Sequence, residues 1–397
     1  MKICLISNLY PPYVIGGAEI IVENVAKKLI NEGSNVFVIT TSPDKKHVKE
    51  KDGIKVYRIN PLNLYSVYSH QEKSALAKPL WHLVDIWNPD SYFAVKKILK
   101  NEKPDIVHIH NFKGLSISVF RAAKDLKIPV VFTAHDCSLI CPRANLLKGN
   151  NEACKDPKKL CSYYTNLNKN FIDNTVDWFI APSNFLIDKL KSFGFFKNVK
   201  TTKIPLGVEM GSKKSEKTYD IVDISYMGNL NKNKGVHILI KAFKKLKNRE
   251  IRLNIYGKGI DEEEFKKIAD NDSRIIFHGF VSGEKLLNSY MQANIVVLPS
   301  ICYDNSPMMI YESLMNGTPV IGSKIGGIPE LIEEGRNGFL FDPGNEKELE
   351  MILTDLIENP SKLKYLEKEA FDSAKEFSMK NHIAKLTEIY NSLILEK

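Results

Sequence analysis

A chain of 397 residues, 43% hydrophobic and 26% charged, is too long for one ordinary core and suits two domains. With no Pro/Gly-rich or repetitive tract, and no apolar run as long as a membrane span, its composition excludes disordered, fibrous and membrane-spanning classes. The net charge of +9 is uneven: residues 1–200 hold 29 Lys and Arg against 18 Asp and Glu, and residues 201–397 hold 27 against 29. The basic half suits anionic lipid headgroups or an acidic acceptor; without an arginine-rich block or nucleic-acid signature, nucleic acid ranks last as a partner.

The opening MKICLISNL, followed by Pro11 and Pro12, reads as a first strand, too short for a secretory leader, so a cytoplasmic location is expected. Strand 3–9, a loop ending in Gly16-Gly17 and a helix whose apolar face includes Ile21, Val22, Val25 and Leu29 form one strand, glycine loop, helix unit. VFVIT, DIVHIH and VVFTAH read as further strands. The segment 62–93 carries Tyr65, Tyr68, Trp81, Trp87, Tyr92 and Phe93, suited to core packing or to an acceptor surface. Cys137, Cys141, Cys154 and Cys161 fall within 25 residues at spacings that match no standard zinc pattern, which leaves a metal-bound or redox-sensitive loop and a packed loop both open. Cys4 and Cys302 read as strand residues.

After KIPLGVE, the polar stretch 209–219 marks a seam, and a new strand begins near Ile221. The same unit then recurs in ISYMGNLNKNKGVHILIKAFKKL, LNIYGKGIDEEEFKKI and TPVIGSKIGGIPELIEEG, with NIVVLPS as another strand. This alternation predicts an α/β protein of two Rossmann-like doubly wound parallel-sheet domains, 1–205 and 206–378, with a C-terminal helix, 379–397, packing back toward the first. Ligands are expected at the carboxyl ends of the strands, in an interdomain cleft. Glycine loops entering helices suit phosphate, but none fits GxGxxG, and GNLNKNKG lacks the Walker ending, so a nucleotide diphosphate fits better than NAD or ATP hydrolysis. In YDNSPMMIYESLMNGTPVI, Ser306 and Pro307 are expected to cap and start a helix, Met308 to Asn316, that places Glu312 beside a mostly apolar stripe. That carboxylate needs a partner, either a structural lysine or a ligand. The triplet Asp270-Asn271-Asp272 reads as a turn rather than a metal site.

PPYVIGGAE, GNLNKNKG, IYGKG, FHGF, VVLPS and DNSPMMIYESLMNGTPVIGSKIGGIPELIEEGRNGFLF, in order over nearly the whole chain, resemble the GT-B-fold retaining glycosyltransferases of family four. HDCSLICPRANL with its following cysteines is similar to a subset of that family. The resemblance implies transfer of a sugar from a nucleotide-diphosphate sugar to a glycan, lipid-linked or small-molecule acceptor in polysaccharide or glycoconjugate biosynthesis. No cofactor or metal is implied. It casts Lys234, His135 and Asp304 as catalytic, and Gly16, Gly17, Asn229, Lys234, Gly257, Asn305, Ser306, Pro307, Met308, Glu312 and Gly327 as donor-binding, with Glu312 on the ribose and Lys234 on the diphosphate. Asp304 stands where the family has glutamate, and Asn229 where it commonly has arginine, a role Lys232 or the Gly16 and Gly17 backbone would take over. Glu330 completes the GGxxE segment. The acceptor is expected on the basic first domain, with peripheral association at the inner face of the membrane. A GT-B nucleotide-sugar epimerase and a non-catalytic nucleotide-sugar-binding protein are the alternative readings.

Overall fold

The computed structural model describes residues 1–14, 16–44, 46–72, 77–148, 153–154, 157–209 and 217–396. Most of the expected polar seam, 210–216, therefore lies outside the described residues. Two compact units emerge. The first comprises Met1–Asn145, Asp156–Gly207 and Met379–Lys397, and the second Leu146–Lys155 and Val208–Ser378. The expected boundary after residue 205 thus falls two residues later. The described residues of Leu146–Lys155 also leave the first unit, because their backbone pairs locally, Leu147 with Ala153, instead of joining a sheet of that unit.

The first unit is built on β1 (Lys2–Ser7), β2 (Asn35–Thr41), β3 (His47–Lys51), β4 (Ile54–Ile59), β5 (Ile106–Asn111), β6 (Val130–Thr133), β7 (Trp178–Ala181) and β8 (Lys200–Lys203). They lie in the order β3-β4-β2-β1-β5-β6-β7-β8. All neighbours are parallel except β3, which returns antiparallel on β4 through a turn at Asp52-Gly53, both with positive φ. The central strands are buried on both faces, so ICLI, VFVI and IVHI are continuous apolar runs broken only by His108. The helix Gly17–Asn31 buries Ile21, Val22, Val25 and Leu29, the face that its periodicity predicts.

The second unit contains β9 (Val222–Met227), β10 (Ile251–Tyr256), β11 (Ile275–Gly279), β12 (Ile295–Leu298), β13 (Val320–Ser323) and β14 (Gly338–Phe341), in the order β11-β10-β9-β12-β13-β14. Its strands are all parallel. In both sheets the chain runs outward from one central strand, then returns to pair on that strand's other side. β1 and β5 therefore flank one topological switch point, and β9 and β12 the other, where strand-end loops diverge and leave room for a ligand.

The helix Met379–Leu395 closes the first unit. It buries Met379, His382, Ile383, Leu386, Ile389 and Tyr390, and the Tyr390 hydroxyl lies 2.6 Å from His108 Nδ1.

Candidate functional site

In the second unit the loops that follow β9, β10, β12 and β13 are joined through their backbones. Gly228 N donates to Tyr256 O, Leu230 N to Lys258 O, Ile301 N to Asn233 O and Gly327 N to Asp304 O. Such close approach leaves no room for side chains. A Cβ on Gly257 would stand 1.8 Å from Gly228 O, one on Gly235 1.8 Å from Pro299 O, and one on Gly326 2.3 Å from Asp304 O. All three glycines also hold positive φ, between 63° and 139°. Packed in this way, the loops bring together side chains that are up to 70 residues apart in sequence.

Lys234 and Asp304 form one such pair, with Nζ 2.5 Å from Oδ1 and both side chains mostly shielded from solvent. Burial opposes the Lys234 charge, but the carboxylate outweighs it and holds the lysine above its ordinary pKa. The other carboxylate oxygen, Asp304 Oδ2, is buried without a hydrogen-bond partner. A strong acceptor is thus left unmatched beside a fixed cation.

The helix Met308–Met315 presents Glu312, and the partner of that carboxylate is neither lysine nor arginine. Glu312 Oε2 accepts from the Tyr290 hydroxyl at 2.8 Å, while burial raises the Glu312 pKa and the Tyr290 hydrogen bond lowers it by less. Pro307 is the N-cap, and its carbonyl accepts from Ile310 N. Ser306 does not cap the helix as expected. Its Oγ is 2.6 Å from the Tyr311 hydroxyl, a partner that competes with the helix amides. Asn305, Ser306, Pro307 and Met308 thus connect Asp304 to the helix of Glu312.

Other expected residues have partners within the chain. The amide of Gly257 donates to Gly279 O and that of Gly327 to Asp304 O, so these glycines shape the site without offering their amides. Asn229 is exposed beside them, and its carbonyl accepts from the Tyr226 hydroxyl. Lys232, a stand-in for the missing arginine, instead pairs with Glu264 at 2.7 Å. Glu330 lies in a short 3-10 turn whose amide bonds Gly327 O.

Gly16, Gly17 and His135 belong to the first unit. Gly16 N donates to Glu19 Oε2 at 2.8 Å, so this amide is already used, while Gly17 opens the helix. His135 follows β6, with Nε2 3.1 Å from His110 Nδ1. Asp136 turns away to accept from Ser138 N at 2.7 Å.

Sequence reasoning missed Tyr290 and His110. Tyr290 sits on a short helix with no motif of its own, and His110 alternates with His108 on what reads as one apolar strand. Cys302 is also not a strand residue; it lies in the loop beyond β12, with Sγ 3.4 Å from Ser300 Oγ. Among the described residues no two cysteines form a disulfide, and no His, Cys, Asp or Glu cluster is placed to hold a metal ion. Packing claims most of the aromatic segment: Trp81 is buried and donates to Tyr65 O, and Trp87 stacks on Phe171, while Phe93 stays 68% exposed.

Comparison with known proteins agrees with this architecture. Residues 15–211 match the model of Glycosyltransferase Family 4, and residues 211–373 that of Glycosyl transferases group 1. An uncharacterized 42.6 kDa protein in the cps region of Klebsiella pneumoniae is 31% identical over 340 residues, covering 83% of this chain and 87% of the relative. An uncharacterized glycosyltransferase of Methanocaldococcus jannaschii is 26% identical over 402 residues, covering 95% and 96%. Among solved structures, sucrose-phosphate synthase from Thermosynechococcus elongatus superposes with a TM-score of 0.79 at 17% identity over the full length of both chains. The Anabaena protein HepE in complex with UDP gives 0.72 at 19%, covering 99% of this chain and 100% of HepE. These neighbours carry the GT-B fold, as expected of the two parallel-sheet units.

Proposed function

We infer that this chain, which belongs to the group 1 and family 4 glycosyltransferases and is a sugar-transferring enzyme, takes its sugar from a nucleotide diphosphate and delivers it with retained anomeric configuration. The observation that carries this reading is the switch point of the second sheet. There a buried carboxylate with one unmatched oxygen and a lysine fixed by its other oxygen stand on adjoining loops, and a second carboxylate stands on the apolar helix that follows. A sugar donor supplies what each lacks: hydroxyls for Asp304 Oδ2, diphosphate for Lys234 and a ribose for Glu312. As the bond from the anomeric carbon to the phosphate breaks, Lys234 stabilises the departing charge. The acceptor oxygen then bonds to that carbon on the same face, through an oxocarbenium-like state, and its proton passes to the leaving phosphate. HepE was crystallised with UDP and with UDP-glucose, which makes uracil the first base to try. This chemistry requires no cofactor or metal.

The experiment is a thermal-shift screen of UDP, GDP, ADP and their sugars at millimolar concentration, repeated on Glu312→Ala. Stabilisation by one diphosphate series, lost in the variant, is expected; no shift with any nucleotide overturns the donor assignment.

The acceptor is a glycan or a lipid-linked glycan, reached at the inner face of the membrane. Among the described residues no helix is long and apolar enough to cross a bilayer. The helix Ala77–Ile86, however, is inverted: Leu80, Leu83 and Val84 are exposed, while Trp81, Asp85 and Ile86 are buried. His82 lies in ring contact with Tyr164 of the helix Lys159–Ile172, which exposes Leu160 and Tyr163. Neither helix exposes a carboxylate, and lysines accompany both, a composition that suits anionic lipid. Salt-sensitive sedimentation with phosphatidylglycerol vesicles, weakened in L80S/L83S, is the expected result. A wild-type protein that stays in the supernatant at low salt would exclude this docking face.

A further inference from the structure

His110 stands two residues beyond His108 on β5, so the two rings share one face of the sheet, with centroids 4.1 Å apart. His108 is satisfied at both nitrogens, by the Tyr390 hydroxyl at 2.6 Å and the Thr133 hydroxyl at 2.7 Å. His110 is not. Its Nδ1 shares a hydrogen bond with His135 Nε2 at 3.1 Å, and its own Nε2 is buried without a partner in a residue only 2% exposed.

Burial holds all three imidazoles neutral at physiological pH, with His135 pushed down to about 4. A neutral ring has one N–H and one bare nitrogen, so the shared hydrogen bond admits two arrangements. If His135 donates from Nε2, His110 must carry its proton on Nε2, a sealed N–H with nothing to accept it. If His110 donates from Nδ1, the sealed atom is a bare nitrogen, and His135 carries its proton on Nδ1. A buried donor without an acceptor is the rarer orphan in folded proteins, which selects the second arrangement.

We propose that His110 is a positioning residue that fixes His135 in the Nδ1–H tautomer by occupying its Nε2. The single proton of the ring is then held on Nδ1, and on the sugar-transfer reading above this is the form in which His135 acts. The tautomer itself does not depend on that reading. Sequence pattern hides this role, because a histidine within a strand otherwise reads as packing.

Long-range proton–nitrogen correlation spectra of the protein labelled with 15N-histidine, assigned with His135→Gln, test the tautomer directly. His135 Nε2 should be unprotonated in the native protein, and the ring should become a tautomeric mixture in His110→Phe. Protonation at Nε2 in the native protein, or an unchanged His135 signature in His110→Phe, overturns the proposal. With donor and acceptor in hand, kcat of His110→Phe should fall on the order of tenfold at unchanged donor KM. His110→Asn, whose amide N–H replaces the Nδ1 donor, should recover most of that loss. Equal losses in both variants would show that His110 only fills space. Absence of sugar transfer by the native enzyme would count against the function reading and leave the spectroscopic answer standing.

Discussion

At Glu312 a carboxylate is kept in apolar surroundings by a single phenol. Because burial raises its pKa, the folded protein binds this proton more tightly than the unfolded chain. The ionised group therefore costs stability above the folded pKa, and that cost disappears as pH falls toward the unfolded value. Glu312→Gln should accordingly be at least as stable as the native protein at neutral pH while losing diphosphate-dependent stabilisation. The native protein should gain on the variant as the medium is acidified, which melting curves across the acid range will read. Lys234 makes a different prediction. Lys234→Ala removes the partner of a shielded carboxylate and should both destabilise the fold and lower kcat by roughly 10²–10³-fold. Adding Asp304→Asn should recover the melting temperature without recovering turnover, separating the two roles.

Among the elements, the strand-end loops do most to define the site. Gly235→Ala places a Cβ 1.8 Å from Pro299 O at a residue whose φ is +71°, so the loops after β9 and β12 must separate. A loss of about 3 kcal/mol or more in denaturant titrations is expected, together with loss of nucleotide binding. Beyond the site, Lys217 lies buried between Glu367 and Thr318, and burial drives its pKa down to about 8 against the pull of Glu367. A depressed lysine pKa means that the unfolded chain binds the extra proton, so stability gains from this residue as pH rises from about 8 to 10.5 and is flat below. Melting curves of the native protein and Lys217→Met over that range should converge or cross in this sense. The strand, glycine loop, helix units were legible because period and punctuation agree within each. Ser306 was not: its choice between capping a helix and bonding Tyr311 is decided by a ring that only the folded helix brings near. The internal acceptors of the Gly257 and Gly327 amides are hidden for the same reason, since Gly279 O and Asp304 O come from other segments, whereas the Gly16 amide bonds Glu19 only three residues on.

Across the whole molecule, two parallel sheets and the family of the chain could be read from ordered motifs spanning nearly all of it. The return of residues 379–397 toward the first unit was expected from an amphipathic helix with no following strand, but the individual contacts that seat it there are recorded in no local pattern. His108 and Tyr390, 282 positions apart, illustrate the point: neither signals the other in sequence, yet they share a buried hydrogen bond. Tyr390→Phe should cost about 1 kcal/mol by leaving the His108 ring short of one partner.

That same bond has a bearing on biosynthesis. A chain leaving the ribosome presents β1 to β8 long before the closing helix exists, and Val208–Ser378, the bulk of the second unit, must be translated in between. Until then the first unit waits incomplete, with His108 lacking its phenol and the apolar surface that will receive Ile383, Leu386 and Ile389 still uncovered. The interval in which a nascent chain needs shielding from aggregation is therefore set by the length of the inserted unit, and it ends only when the last helix emerges.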